Sequence, residues 1–170
     1  MSIKRMIQAV ECHAGEPMRV ITGGVPIPPG DSVYEQMKWM EKYDDQLRKL
    51  MLREPRGYPA VCCNMVVPAK DPRAAMGYII MEQTEYCLMS GGNTIAVATV
   101  LLETGMIKMV EPVTEFYLEA PAGLIHIKAE CIIFHSRLRN CTKPLVKRYV
   151  SLSMPAARVK WCSHGEQQKA

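Results

Sequence analysis

No run of ~18 consecutive apolar residues occurs in the chain, which excludes a membrane-spanning helix. Met1-Ser2-Ile3-Lys4-Arg5-Met6 carries two basic residues with no apolar segment of the secretory kind behind it. The expectation is therefore a soluble, cytoplasmic protein. Cys-x-x-Cys pairs are lacking among Cys12, Cys62, Cys63, Cys87, Cys131, Cys141 and Cys162, and the odd number leaves one thiol over in any disulfide scheme. Free thiols and no metal site are expected, since neighbours such as Cys62 and Cys63 point to opposite faces of a strand and cannot jointly grip an ion. Acidic residues almost vanish after residue 130: residues 131–170 hold Glu166 alone against eight Lys and Arg, whereas residues 1–130 hold 16 Asp and Glu against 13 Lys and Arg. A basic tail is one signature of nucleic-acid binding. Few aromatics are there to stack on bases, Tyr149 and Trp161 with Phe134 at the start, which argues against nucleic acid as a partner.

What remains is an ordinary globular composition, 48% apolar and 22% charged, in a chain of 170 residues, about one domain. Residues 6–12 and 18–22 read as short strands around a turn at Gly15 and Pro17. Asp31-Ser32 supplies N-cap types, and Met37, Met40, Leu47, Leu50 and Met51 recur at helical spacing, so one amphipathic helix is predicted from Val33 to Met51. Residues 60–68 and 76–82 read as buried strands, with Met37, Met40, Met51 and Met65 as core. Thr94–Glu103 is apolar almost all round, as a helix buried on every side would be, and stops at Thr104-Gly105. Residues 113–119 and 124–130 form a predicted hairpin, and no strand or helix period follows. The layout predicted for residues 1–130 is α+β, a curved β-sheet wrapped around a central helix.

The strongest local pattern is Met89-Ser90-Gly91-Gly92-Asn93-Thr94 at the start of that helix. Glycines let the backbone approach a ligand closely, and the free N–H groups of a first helical turn bind a carboxylate. The same residues also suit a plain N-cap with tight packing, and chemistry alone does not choose between the two. His13, Glu16 and Arg19 are read as a turn histidine among solvated charges, with orientation of substrate or loop as the alternative. Arg56 suits a carboxylate but more often pairs with a local acid, and Glu11 is expected to be solvated.

Several stretches together resemble the amino-terminal half of the proline racemase family. They are His13-Ala14-Gly15-Glu16-Pro17-Met18-Arg19 with Thr22-Gly23-Gly24, Arg53-Glu54-Pro55-Arg56-Gly57-Tyr58-Pro59, Met89 to Ala96, and Leu102-Glu103-Thr104-Gly105. The family comprises proline racemases, 4-hydroxyproline 2-epimerases and trans-3-hydroxyproline dehydratases. The resemblance implies one lobe of the two-lobed diaminopimelate-epimerase-like fold and chemistry without a cofactor. The substrate, proline or a hydroxyproline, would lie between the lobes with its carboxylate on the amides of the central helices. Two acid/base groups, typically thiols, would flank the α-carbon.

Carried over by position, the first acid/base group falls at Ser90 and the carboxylate cradle at Gly91, Gly92 and Asn93; many relatives have a histidine and a glycine in place of Gly92 and Asn93. A hydroxyl is a weaker acid than a thiol and needs a neighbouring proton acceptor to act as a base. Serine-bearing branches of the family pair it with a cysteine of the second lobe, which points toward hydroxyproline rather than symmetric proline racemisation. Cys87, three positions earlier, is read as a plain buried thiol, with a catalytic role as the alternative. The second lobe's acid/base group, its substrate-contacting aspartate and its glycine-rich helix start do not appear after residue 130. The expected cause is truncation or a change of reading frame near 131–135, leaving a lobe at 1–130, a divergent basic tail at 131–170, and impaired activity. The competing class is a non-catalytic protein that binds small carboxylates or uses its basic tail to interact. A homodimer is a further candidate assembly.

Overall fold

Residues along three neighbouring strands alternate between two apolar layers, and that parity sets the architecture. A computed structural model describes residues 6–136 and 145–153. In chain order the elements are β1 (Gln8–His13), β2 (Pro17–Gly23), α1 (Val33–Tyr43), α2 (Gln46–Leu52), β3 (Cys62–Val67), β4 (Met76–Met81), β5 (Tyr86–Cys87), α3 (Gly91–Glu103), β6 (Val113–Ala120), β7 (Gly123–Ser136) and β8 (Leu145–Ser153). The strands form one sheet in the order β1-β2-β3-β4-β6-β7-β8, with β5 paired to β4. The β2–β3 and β4–β6 pairs are parallel. Parallel neighbours need long crossovers; α1 and α2 lie in the first and α3 in the second.

Met18 and Val20 of β2, with Tyr78 and Ile80 of β4, pack in one layer with α3. Ile21, Cys63, Met65, Val67, Ile79 and Met81 pack in the other with α1 and α2. Cys62 and Cys63 fall in opposite layers, as strand parity requires. Met37, Met40, Met51 and Met65 are buried. Around α3, Ala96, Val97, Ala98 and Leu101 are fully covered, and strand residues from Met18 on β2 to Ala129 on β7 share its cluster. Those strands laid flat would span ~19 Å, against ~10 Å for one helix, so the sheet must curve around α3. Gly105, with φ +74°, follows the helix in the left-handed conformation that a non-glycine residue rarely adopts.

The single helix predicted over 33–51 is two. Ser32 caps α1, its Oγ accepting the Glu35 N–H at 3.1 Å while the Glu35 carboxylate accepts the Asp31 N–H at 2.7 Å. Asp44 then leaves helical geometry, with φ −139° and ψ 57°. Asp45 starts α2 but spends its carboxylate on Arg48, Oδ1 to Nε at 2.6 Å and Oδ2 to Nη2 at 2.8 Å. Arg48 also donates to the carbonyls of Glu82 and Gln83, tying α2 to the β4–β5 hairpin that leads into α3. The absence of strand pattern expected after residue 130 is corrected as well. β7 runs on to Ser136 and pairs antiparallel with β8, from Lys128↔Ser153 to Ser136↔Leu145. Among the described residues β8 is the last strand of the sheet order. Among the described residues no helix is long and apolar enough to cross a membrane.

Candidate active site

The amino end of α3 is built by a buried polar network that spans the sheet and the helix. Ser90 is the N-cap, extended at φ −146° and ψ 127°. Its Oγ accepts the backbone N–H of Asn93 at 3.5 Å and the side-chain Nδ2 of Asn93 at 3.0 Å. Asn93 Nδ2 also reaches Glu82 Oε1 at 3.3 Å, and Asn93 Oδ1 accepts from Asn64 Nδ2 at 2.7 Å. Both asparagines are fully buried. One position on, the Thr94 hydroxyl donates to the Ser90 carbonyl at 2.7 Å and meets the Tyr78 hydroxyl at 2.5 Å. Ser90 is thus fixed at both its side chain and its main chain.

Gly91 and Gly92 form the first helical turn, whose amides have no acceptor within the helix. At Gly92 the neighbouring groups approach closely. A Cβ there would lie 2.8 Å from Met18 Cε, 3.6 Å from the Ala14 carbonyl oxygen and 3.9 Å from Glu16 Oε1. The turn between β1 and β2 therefore sits against the helix start, and it brings the exposed Glu16 carboxylate with it. The N-cap reading of the sequence is the observed geometry, and the same turn leaves its leading amides available to an anion.

The other candidates separate. Arg19 faces the α1–α2 layer, where Nε takes Glu11 at 3.1 Å and Nη1 donates to the carbonyls of Met51 at 2.7 Å and Arg56 at 2.5 Å. It orients the loop after α2 and is on the opposite side of the sheet from Ser90. Glu11 is exposed, as expected for a solvated carboxylate, and pairs with it from there. His13 and the Arg56 side chain are exposed.

Cys12, Cys62, Cys63 and Cys87 are free thiols. Burial pushes the Cys87 thiol up to about 12, with the nearby Glu82 carboxylate adding to it. Burial, reinforced by the charges of Glu82 and Glu16, pushes Cys62 up to about 11. Neither supplies a useful thiolate near neutral pH. β5 pairs with β4 so that Cys87 opposes Ile80, and the tight hairpin brings possible ligand atoms of Glu82, Glu85 and Cys87 within 4.8 Å of one another. Glu82 and Asn64 escaped the sequence reading. Asn64 carried a signal, a polar side chain inside an apolar strand, and such residues are seldom buried without a specific partner.

Comparison with known proteins accounts for this arrangement. The family model described as proline racemase matches residues 9–142. A protein of Marinobacter nauticus is 48% identical over 124 residues, which are 72% of this chain and 35% of that protein. A hydroxyproline epimerase from Agrobacterium vitis, solved with trans-4-OH-L-proline bound, superposes with a TM-score of 0.73 at 43% identity, over 78% of this chain and 40% of that one. A probable proline racemase from Agrobacterium radiobacter K84, solved with bound carbonate, gives 0.71 at 40% identity, over 75% and 38%. A methylitaconate-delta-isomerase, at 16% identity and a TM-score of 0.51, shares the fold. This chain spans 35% to 41% of the length of these relatives. The sheet around α3 is one lobe of the diaminopimelate-epimerase-like fold, and the chain belongs to the proline racemase family.

Proposed function

We propose that this lobe carries one side of a cofactor-independent proton transfer at the α-carbon of proline or a hydroxyproline, within racemase, epimerase or dehydratase chemistry. The observation that carries the reading is the hydrogen bonding of Ser90. Both partners of its Oγ, the Asn93 backbone N–H and Nδ2, are donors. The serine proton is therefore free to point at a ligand, and the oxygen is prepared to hold negative charge. The substrate carboxylate lies on the Gly91 and Gly92 amides. A base on the opposite lobe removes the α-proton; Ser90 then gives its proton to the carbanion as its O–H bond breaks, and solvent reprotonates the oxygen. Because the base lies on the other lobe, this lobe alone turns over little or no substrate. The serine favours a hydroxyproline over proline, in line with a neighbour solved with trans-4-OH-L-proline.

The carboxylate cradle is tested by Gly91→Pro. Proline is tolerated at the first helical position and removes only an N–H that has no partner in the helix. Ser90 already holds the extended conformation that a following proline demands. Calorimetric binding of pyrrole-2-carboxylate, a planar mimic of the deprotonated carbon, should weaken about tenfold or more when that charge-assisted bond is lost. The melting temperature should stay put. Equal binding by parent and variant, or no binding by either, removes the basis for the cradle. A slow turnover of trans-4- or trans-3-hydroxyproline should disappear in Ser90→Ala.

A further inference from the structure

Asn93 Nδ2 faces two groups, the Ser90 hydroxyl oxygen at 3.0 Å and the Glu82 carboxylate at 3.3 Å. A carboxylate accepts only, so this end of the amide must be the donor end. The carbonyl end then points into the sheet, where it needs a donor, and Asn64 Nδ2 meets it at 2.7 Å. Asn64 stands on β3, paired with Val20 of β2 and Ile80 of β4, so its backbone is held by ladders on both sides. Its own Oδ1 is buried without a partner. Leaving a buried acceptor unpaired is costly, and here it accompanies the delivery of a donor to one defined place.

We propose that Asn64 is a positioning residue for Ser90: by donating to Asn93 Oδ1 it holds, together with Glu82 at the other end, the Asn93 amide with its donor on the Ser90 oxygen. The proposal rests on the reading of Ser90 as the proton donor, and it names a residue of the sheet on which that role depends. Asn64→Asp inverts the network at constant volume. A carboxylate at 64 can only accept, so the Asn93 amide turns over and presents its carbonyl to Ser90, which must then donate inward instead of toward a ligand.

The test needs no turnover and uses the whole chain. Ser90→Cys places a titratable thiol where the hydroxyl stood. Its alkylation by iodoacetamide is followed between pH 6 and pH 10 by tandem mass spectrometry, whose fragment ions separate position 90 from Cys87 within the same peptide. A donor on the sulfur favours thiolate. In the Ser90→Cys background, Asn64→Asp, which repels the Asn93 carbonyl, should raise the alkylation midpoint by about one pH unit, roughly a tenfold loss of thiolate below it. Asn64→Ala leaves Glu82 to orient the amide alone and should raise the midpoint by about half a unit. Should Asn64→Asp fail to fold, Asn64→Ala decides. A midpoint equal to that of the parent in whichever of the two folds overturns the proposal. Loss of the pyrrole-2-carboxylate site would overturn the substrate reading instead, so the two fail separately.

Discussion

Replacing Arg48 by methionine keeps the apolar stem and removes the guanidinium that joins α2 to the β4–β5 hairpin. The side chain is 9% exposed, and that of its partner Asp45 is 21% exposed. Four hydrogen bonds go with it: two to the Asp45 carboxylate, and those to the carbonyls of Glu82 at 3.1 Å and Gln83 at 2.6 Å. Breaking a fully buried pair costs about 3–5 kcal/mol; Asp45 is partly solvated and keeps Lys49, so about 2–4 kcal/mol is expected here. The Lys49 ammonium remains 3.0 Å away. The same contact sets an acid limb. Hydrogen bonding to Arg48, and secondarily to Lys49, holds the Asp45 carboxyl at about 2 against an ordinary 3.8. A depressed value means the unfolded chain takes up the proton first, so this stabilisation is present above about pH 4 and lost as pH falls through 2. The full shift is worth about 2.4 kcal/mol, and solvent screening reduces it to about 1–2. Urea unfolding at pH 7 and at pH 2.5 reads both effects. Arg48→Met should lose most at pH 7 and less at the lower pH. A loss below about 0.5 kcal/mol at pH 7, or parallel acid limbs, would refute the assignment of Arg48 as the tie.

At the alkaline end, burial holds the Cys63 thiol up at about 12, above its ordinary 9.0. A raised value keeps its stabilisation intact below pH 9 and loses it as pH climbs toward 12, at about 1.4 kcal/mol per pH unit. Cys63→Val should flatten the fall in urea midpoint between pH 9 and 10.5, and an unchanged slope would count against the burial argument. In the loop held by Arg19, a Cβ on Gly57 would lie 2.0 Å from the Leu52 carbonyl carbon, a backbone atom that cannot step aside. Gly57→Ala should cost about 2–3 kcal/mol and lower the melting temperature by several degrees, and a melt within one degree of the parent contradicts that packing.

Elements whose signal is local were legible in the sequence. The apolar girth of Thr94–Glu103 announced a helix inside the sheet, and the polar letters just before it marked where that helix starts. Parity placed Cys62 and Cys63 on opposite faces, and the same rule applied to Met18-Arg19-Val20 sends Arg19 away from Met18 and from the helix start. The break between α1 and α2 was hidden because the apolar spacing continues across it. What ends the helix is Asp45 engaging Arg48, whose other partners lie more than thirty residues away at Glu82 and Gln83. Asn64 was hidden for a related reason. It sits in a run that reads as a buried strand, and the group that makes it tolerable, Asn93, is 29 residues further on in another element. Polar partners brought together by the fold leave no period behind them.

The placement of charge argues that the proposed reaction is asymmetric. A helix amino terminus lowers the pKa of an acid placed on it, yet the thiols around this one are not on it. Cys62 lies on β3 and Cys87 on β5, where burial and the Glu82 carboxylate drive both upward. The one side chain seated on the N-cap is the hydroxyl of Ser90, and each of its partners donates. In its neutral form Ser90 has both lone pairs taken by its neighbours, so it cannot act as a base until it has given up its proton. An acid needs its proton free and its conjugate anion stabilised, which the Asn93 amide, the backbone N–H and the helix dipole all provide. Asn64 extends the same logic into the sheet, because satisfying the Asn93 carbonyl there helps Glu82 keep the donor end of the amide on Ser90. In the proposed reaction the facing lobe removes the proton from one epimer and Ser90 returns a proton on the other face, and the reverse reaction runs the same steps backward with the Ser90 oxyanion as base.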